Sequence, residues 1–341
     1  MMIPIGISSG NSCPSTHPAH TLLAADIGGT KSNLALYKYD GSKLALIREE
    51  KYSTKDHQGP DQLIKKFLGN EPTPDRICLG VAGPVLAGKA KITNVPWEID
   101  AAHLSAQFDK RPVFIVNDLE ANAYGLATLE QIDIHPLHTG HPQKGNIALI
   151  SPGTGLGEAG LFLDGTHYFP FATEGGHSDF APITELDDDL LVYLRRKFGH
   201  VSWERVLSGP GIVNIFNFLK EERDMDAPGW LLDRMAVHDV AAEISENGDT
   251  VAICVETMRI FFRYLATEAG NLALKMKATG GIYIGGGIVP KNVKKIDYGA
   301  FMKAFREKGR MKPLLEDIPV QIILNEKTAL TGAAWYAINK C

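Results

Sequence analysis

Short apolar runs alternate along this chain with longer segments whose apolar residues recur three and four positions apart. "LLAAD" (22–26), "RICLGVAGPV" (76–85), "PVFIVND" (112–118), "NIALI" (146–150) and "GGIYI" (280–284) are short and largely apolar. Runs of that length suit buried strands. "ELDDDLLVYLRRKFG" (185–199) places apolar residues at 190, 191, 194 and 198, which predicts a helix that stops at Gly199. "DLEANAYGLATLE" reads as a helix with Asp118 at its N-cap. "VAICVETMRIFFRYLATEAGNLALKM" reads as a long buried helix, and "KTALTGAAWYAIN" as a helix of small residues. Strands and helices alternate in both halves, so the pattern predicts an α/β protein with two sheets.

Two blocks share one layout. "LLAADIGGTKSNLALY" runs from an apolar strand into a glycine loop and a second strand, and Asp40-Gly41 then turns the chain into "KLALI". "NIALISPGTGLGEAGLFLDGTHYFPF" (146–171) repeats that order, with Asp164-Gly165 as its turn. The repetition predicts an internal duplication, one copy per half. It also decides between kinds of phosphate loop. A P-loop needs G-x-x-x-x-G-K-[ST] followed by a helix, whereas Gly28-Gly29-Thr30-Lys31 has other spacing and is followed by a strand. Gly155-Leu-Gly157-Glu-Ala-Gly160 matches G-x-G-x-x-G, but a dinucleotide site needs a helix starting on those glycines. The hairpin "AGLFLDGTHYF" follows instead.

Composition narrows the class. The chain has 341 residues, 44% hydrophobic and 22% charged, enough for two domains or one large one, with a substantial core. A net charge of −5 with no basic block argues against nucleic-acid binding. No apolar run of about 18 residues predicts a membrane-spanning helix. Cys13, Cys78, Cys254 and Cys341 are scattered and form no C-x-x-C pair, which fits a reducing cytoplasm and offers no zinc cluster. Residues 1–20 lack a basic start and a long apolar stretch, so they read as a flexible lead-in rather than a signal peptide.

Several positions carry candidate chemistry, each beside a plainer structural use. Asn117-Asp118 stand where a buried strand meets a helix, a junction that favours capping residues and that α/β folds also use for ligands. Glu174 and His177, in "TEGGHSDF", bring a carboxylate and an imidazole together with only two glycines between them; the alternative is an ordinary glycine turn. Glu204, in "SWERVLSGPG", is placed to begin a helix after Ser202, where an acid is also favourable by dipole alone. Gly28, Gly29, Thr30 and Lys31 in one half, and Gly153, Thr154 and Gly155 in the other, offer backbone N–H groups that phosphate can approach closely. Either loop alone is equally an ordinary hairpin. Gly285, Gly286 and Gly287 form either a tight turn or the wall of a nucleotide site.

Together "ADIGGTKSNLAL", "IVNDLEANAYG", "SPGTGLGEAGL", "TEGGHSDFAP" and "ERVLSGPG" resemble the bacterial glucokinase family of the hexokinase/actin-like ATPase superfamily, over nearly the whole chain. The resemblance implies a duplicated ribonuclease H-like (actin-like ATPase) fold with two domains and a cleft between them. It implies a small domain over 21–127, completed by a C-terminal helix over 321–341, and a large domain over 128–320. It implies ATP-dependent phosphorylation of D-glucose at the 6-hydroxyl, with Asp118 as general base and Asn117, Asp118, Glu174, His177 and Glu204 on the sugar. The glycine loops and Gly285–Gly287 would bind ATP, and Asp26 would hold Mg²⁺ through water, since Mg²⁺ prefers oxygen ligands and dehydrates reluctantly. Asn94, in "TNVPWEID", is a further candidate sugar contact. The related repressor/ORF/kinase sugar kinases carry a zinc-binding cysteine cluster near their E-x-G-H motif; it is absent here, so no zinc is expected. Partners are then glucose and ATP, in a cytoplasmic homodimer. A kinase for another hexose, a sugar-sensing regulator without turnover, and an actin-like polymer stay open at this stage.

Overall fold

The computed structural model describes residues 3–7, 20–92 and 95–340. Cys13, Asn94, Cys341 and most of the expected lead-in lie outside them. The first block folds as a meander of β1 (His20–Ile27), β2 (Lys31–Tyr39) and β3 (Leu44–Ser53). Both turns are tight: the Gly28 N–H donates to the Lys31 carbonyl at 3.0 Å, and Gly41 takes a φ of +100°, which glycine alone adopts without steric cost. Helix α1 (Pro60–Leu68) leads to β4 (Arg76–Val81), parallel to β1. A small sheet follows, made of β5 (Val85–Leu86), β6 (Lys89–Lys91) and β7 (Glu98–Asp100). Helix α2 (Ala101–Gln107) then leads to β8 (Val113–Asn117), parallel to β4, and α3 (Asp118–Gly125) begins at once. The strand order is β3-β2-β1-β4-β8.

The second half opens with β9 (Ile134–His138), then β10 (Ile147–Pro152), β11 (Leu156–Leu163) and β12 (Tyr168–Thr173). The G-x-G-x-x-G run therefore continues into a strand, not a helix. Helices α4 (Glu185–Phe198), α5 (Gly209–Glu222), α6 (Gly229–Met235), α7 (Val240–Glu246) and α8 (Ala252–Met276) precede β13 (Gly281–Ile284). Helices α9 (Tyr298–Arg306) and α10 (Lys312–Asp317) precede β14 (Val320–Ile323), and α11 (Thr328–Asn339) follows. The order here is β12-β11-β10-β13-β14-β9, with β10, β13 and β14 parallel. Setting β9 aside, both sheets read as the meander in reverse followed by two parallel strands. One topology built twice from separate stretches of chain is the signature of the duplication.

The chain divides into two compact units. The first holds the described residues up to Asp133, Leu161–Ala172 and those from Asn325 onward; the second holds Ile134–Gly160 and Thr173–Leu324. Residues 4–6 of the expected lead-in pair with Tyr168: the Gly6 N–H donates to its carbonyl and its N–H to the Pro4 carbonyl, both at 2.8 Å, and Ile5 is buried. In the first unit Leu23, Ala25 and Ile27 face α1 residues such as Leu63 and Phe67, while Leu22 and Ala24 face Leu330, Ala333 and Ala334 of α11. Both faces of β1 are buried, which is why its sequence is continuously apolar rather than alternating. In the second unit the core gathers around α8, whose Phe261, Leu265 and Ala269 are fully buried.

The small residues of α11 have a specific purpose. A Cβ on Gly332 would lie 1.8 Å from the Ala121 carbonyl oxygen of α3, and one on Gly125 would lie 2.2 Å from the Thr328 carbonyl oxygen. These obstacles are backbone atoms and cannot rotate away. Gly332→Ala is therefore expected to separate the two helices at a cost of about 1–3 kcal/mol, read as a lowered Tm; an unchanged Tm would refute this packing account. Among the described residues no helix is long and apolar enough to cross a membrane.

Candidate functional site

In the first unit, register places the candidate groups on one edge of the sheet. Ile27, Val81 and Asn117 are partners across the parallel strands β1, β4 and β8. The Gly28–Lys31 loop and Asp118 both follow that row, at the carboxyl ends of strands, two strand spacings or roughly 10 Å apart. The loop is braced from below: Thr54 Oγ1 donates to the Gly28 carbonyl at 2.8 Å, and the Thr54 N–H donates to the Thr30 carbonyl at 3.0 Å. Thr30 and Lys31 are exposed. Asp26 lies half-buried near the end of β1, opposite Asn33 of β2. Burial pushes its carboxyl up to about 6. A lone carboxylate beside a glycine loop, held in a site that disfavours its charge, suits a hydrated divalent cation.

The expected cap is corrected by one residue. Asn117, not Asp118, is the N-cap of α3: its Oδ1 accepts from the Leu119 and Glu120 N–H groups at 2.8 and 3.3 Å, and Glu120 completes a capping box. Asn117 adopts extended backbone angles and Asp118 is already helical, so the geometry selects the earlier of two residues that both cap well. This relieves Asp118 of capping. Its Oδ1 instead accepts from the Leu119 N–H at 2.9 Å, and the residue is half-buried. Asn117 has spent its acceptor on the helix and one Nδ2 hydrogen on the Gly83 carbonyl at 3.1 Å. Only its second N–H is left for a ligand, so it can donate but not accept there.

In the second unit Glu174, His177 and Glu204 come together. His177 Nε2 lies 4.0 Å from Glu174 Oε2, and its Nδ1 lies 4.0 Å from Glu204 Oε1. Two segments distant in sequence are zipped to make this cluster. The Trp203 N–H donates to the Ser178 carbonyl and the Phe180 N–H to the Val201 carbonyl, each at 3.0 Å. Beneath them the Phe180 and Trp203 rings meet edge to face at 5.0 Å, and Phe180 meets Tyr264 of α8 at 5.1 Å. Glu204 stands in the first turn of a helix that begins after Ser202, a single 3-10 turn over Trp203–Arg205. The helix after it is α5, capped by Ser208, whose Oγ accepts from the Gly211 N–H at 3.1 Å. Glu174 and His177 are exposed, whereas the Glu204 side chain is 29% exposed.

Glu204 also touches the glycine loop. Its Oε2 accepts from the Leu156 N–H at 3.1 Å, and a Cβ on Gly155 would meet it at 2.6 Å. The Gly153 carbonyl in turn accepts from the Gly209 N–H at the start of α5, at 2.8 Å. Gly153 and Thr154 line a cavity of about 640 Å³ with Gly209, Gly287, Lys291 and Asn292, closed on another side by Asp239 and Ser245. That volume suits a nucleotide-sized ligand. Gly286 takes a φ of +83° and sits so close to the Pro152 carbonyl oxygen that a Cβ would meet it at 2.2 Å. It is thus a structural turn glycine, while Gly287 faces the cavity. The Gly285 N–H donates to the Ile150 carbonyl at 2.8 Å and ends β13. Sequence reasoning missed Asp239, Ser245, Lys291 and Asn292. Asn292 is buried, its amide donating to Ser245 Oγ at 2.7 Å and to the Ile288 carbonyl at 3.0 Å.

With this geometry in hand, comparison with known proteins is direct. A family model described as Glucokinase matches residues 23–340. The glucokinase of Nostoc punctiforme is 39% identical over 332 residues, covering 92% of this chain and 97% of that protein. A crystal structure of a glucokinase from an Antarctic psychrotroph superposes with a TM-score of 0.78 at 31% identity, over 93% of this chain and 98% of the other. A glucokinase from Streptomyces griseus, solved in complex with glucose and AMPPNP, shares the fold at a TM-score of 0.64 and 20% identity, over 93% and 99% of the two chains.

Proposed function

We infer that this chain, which belongs to the glucokinase family, transfers the γ-phosphoryl group of ATP to the 6-hydroxyl of D-glucose. One observation carries the reading: Glu204 faces His177 with one carboxylate oxygen and the Gly153–Gly155 loop with the other. A cluster suited to hydroxyls thus adjoins a loop suited to phosphates, on the rim of a nucleotide-sized cavity. Vicinal hydroxyls each donate and accept, and a neutral polyol needs charge-assisted hydrogen bonds to compete with water. Glu174, His177 and Glu204 would supply acceptors and an imidazole for the sugar. Asp118 would accept the proton of the 6-hydroxyl as it attacks, the role one carboxylate plays in phosphoryl transfer.

The nucleotide would place its phosphates on the backbone N–H groups of Gly153–Gly155 and Gly28–Lys31, and its adenosine in the cavity closed by Gly287, Lys291 and Asn292. Mg²⁺, bound with the nucleotide, would neutralise charge on the phosphates, with Asp26 holding it through water. Lys31 is exposed and has the weakest claim on the phosphates. An enzyme working on ATP and glucose is at home in the cytoplasm. A panel of hexoses tests the substrate: glucose is expected to give the highest kcat/KM, with mannose, fructose and N-acetylglucosamine well below it. Equal values across the panel would defeat the assignment of glucose.

A further inference from the structure

We propose that Glu158, on β11, is a positioning residue for the hexose site, its buried carboxyl forming the floor on which the Glu174–His177 turn rests. The inference builds on the reading of Glu174 and His177 as sugar contacts. Glu158 is 1% exposed. Its Oε1 is buried without a hydrogen-bond partner. Its Oε2 lies so close beneath Gly175 that a Cβ there would meet it at 2.0 Å. The backbone repeats the contact: Thr173 Oγ1 donates to the Glu158 carbonyl at 3.1 Å and accepts from the Gly175 N–H at 3.2 Å. A Cβ on the next residue, Gly176, would meet the Leu156 carbonyl oxygen at 2.1 Å. Both glycines of the Glu-Gly-Gly-His turn are therefore dictated by the surface of β11, and Glu158 forms part of that surface.

Burial with no hydrogen-bond partner at Oε1 disfavours the ionised form of this carboxyl. The charged groups that reach Glu158 come from α8: Glu268 raises it and Lys275 lowers it. Lys275 is already committed to Glu268 at 2.7 Å. Glu268 also accepts from Asn271 at 2.7 Å, and Lys308, after α9, interacts with Glu268 with its own ammonium destabilised by burial. Above the carboxyl, Glu174 and His177 are exposed on the turn. Burial first, then the Glu268 charge, push Glu158 up to about 7. Ionisation places an unpaired charge beneath Gly175, and the turn must lift to let water reach it. Glucose affinity should then weaken as pH rises through this range.

The test compares wild type with Glu158→Gln, which keeps the shape of the neutral acid. Between pH 6 and 8.5 the wild-type KM for glucose is expected to rise roughly tenfold, with kcat and the KM for ATP changing far less. Glu158→Gln should keep the low-pH KM across the range. His177 is common to both proteins, so the difference between profiles belongs to Glu158. Profiles that run parallel would overturn the proposal. A second arm needs no pH change: Gly175→Ala should raise the KM for glucose roughly tenfold, and Glu158→Ala in the same chain should restore it by clearing the space. A double variant as weak as Gly175→Ala would also overturn it. Wild-type protein with no glucose turnover at all would defeat the functional reading, and this inference with it.

Discussion

Asp118→Ala is expected to lower kcat for glucose phosphorylation by about 10² to 10⁴, the usual cost of losing a general base. Glucose affinity should change much less, because the sugar keeps Glu174, His177 and Glu204. The geometry makes this split sharp. The capping of α3 is done by the Asn117 side chain, so removing the Asp118 carboxylate leaves the helix start intact. The Leu119 N–H, which donates to Asp118 Oδ1, also donates to Asn117 Oδ1 and so keeps an acceptor in the variant. Steady-state kinetics with glucose titration calorimetry separates the two effects. A variant with wild-type kcat removes Asp118 from the mechanism. Asn117→Ala predicts the reverse emphasis: loss of a cap costs roughly 1 kcal/mol of stability, along with some sugar affinity.

The second large effect lies beneath the Glu174–His177–Glu204 cluster. Asp187 on α4 is buried, and its carboxylate accepts from Arg263 Nη1 at 3.1 Å, from Arg263 Nη2, from the Tyr264 hydroxyl at 2.7 Å, and from the Ile183 and Thr184 N–H groups at 3.1 and 3.0 Å. Asp187→Ala leaves the half-buried Arg263 guanidinium, the Tyr264 hydroxyl and two backbone N–H groups without their shared acceptor and is expected to cost about 3 kcal/mol. Tyr264 is also the ring on which Phe180 packs, so the loss should spread to the segments that hold His177 and Glu204. Chemical denaturation gives the stability and glucose titration the spread; a cost under about 1 kcal/mol would show that the network is not structural. The pH dependence has a definite sign. Burial opposes ionisation of Asp187, but Arg263 and Tyr264 outweigh it and hold the carboxyl below its ordinary value of 3.8. The folded state therefore binds fewer protons here than the unfolded one below pH 4 or so. This stabilisation is complete above 3.8 and is lost as pH falls through the folded value. The variant should lack that acid-sensitive component.

The duplication was legible in the sequence because its signals are local. A strand, a glycine loop, a second strand and an Asp-Gly turn each carry short-range constraints, and they recur in order. The helix stop at Gly199 was legible for the same reason, whereas the C-terminal helix implied over 321–341 spans only Thr328–Asn339, because Val320–Ile323 joins the sheet as β14. The cap of α3 was misplaced because Asn117 and Asp118 both favour that position and only the backbone angles separate them. The cavity lining of Asp239, Ser245, Lys291 and Asn292 was hidden because tertiary packing assembles it from separate segments, none with a distinctive motif. Glu158 was hidden by its residue type. An acid in a strand ordinarily marks a solvent-facing position, but residues 158–161 of β11 are all buried, so the alternation that sequence reading relies on is missing there.

Glucose-dependent phosphoryl transfer can be followed by ³¹P NMR of the protein with ATP, Mg²⁺ and glucose. Equal amounts of ADP and glucose 6-phosphate are expected, with no ADP formed when glucose is left out. ATP consumed at the same rate without sugar, or glucose bound with no phosphate ester formed, would contradict it.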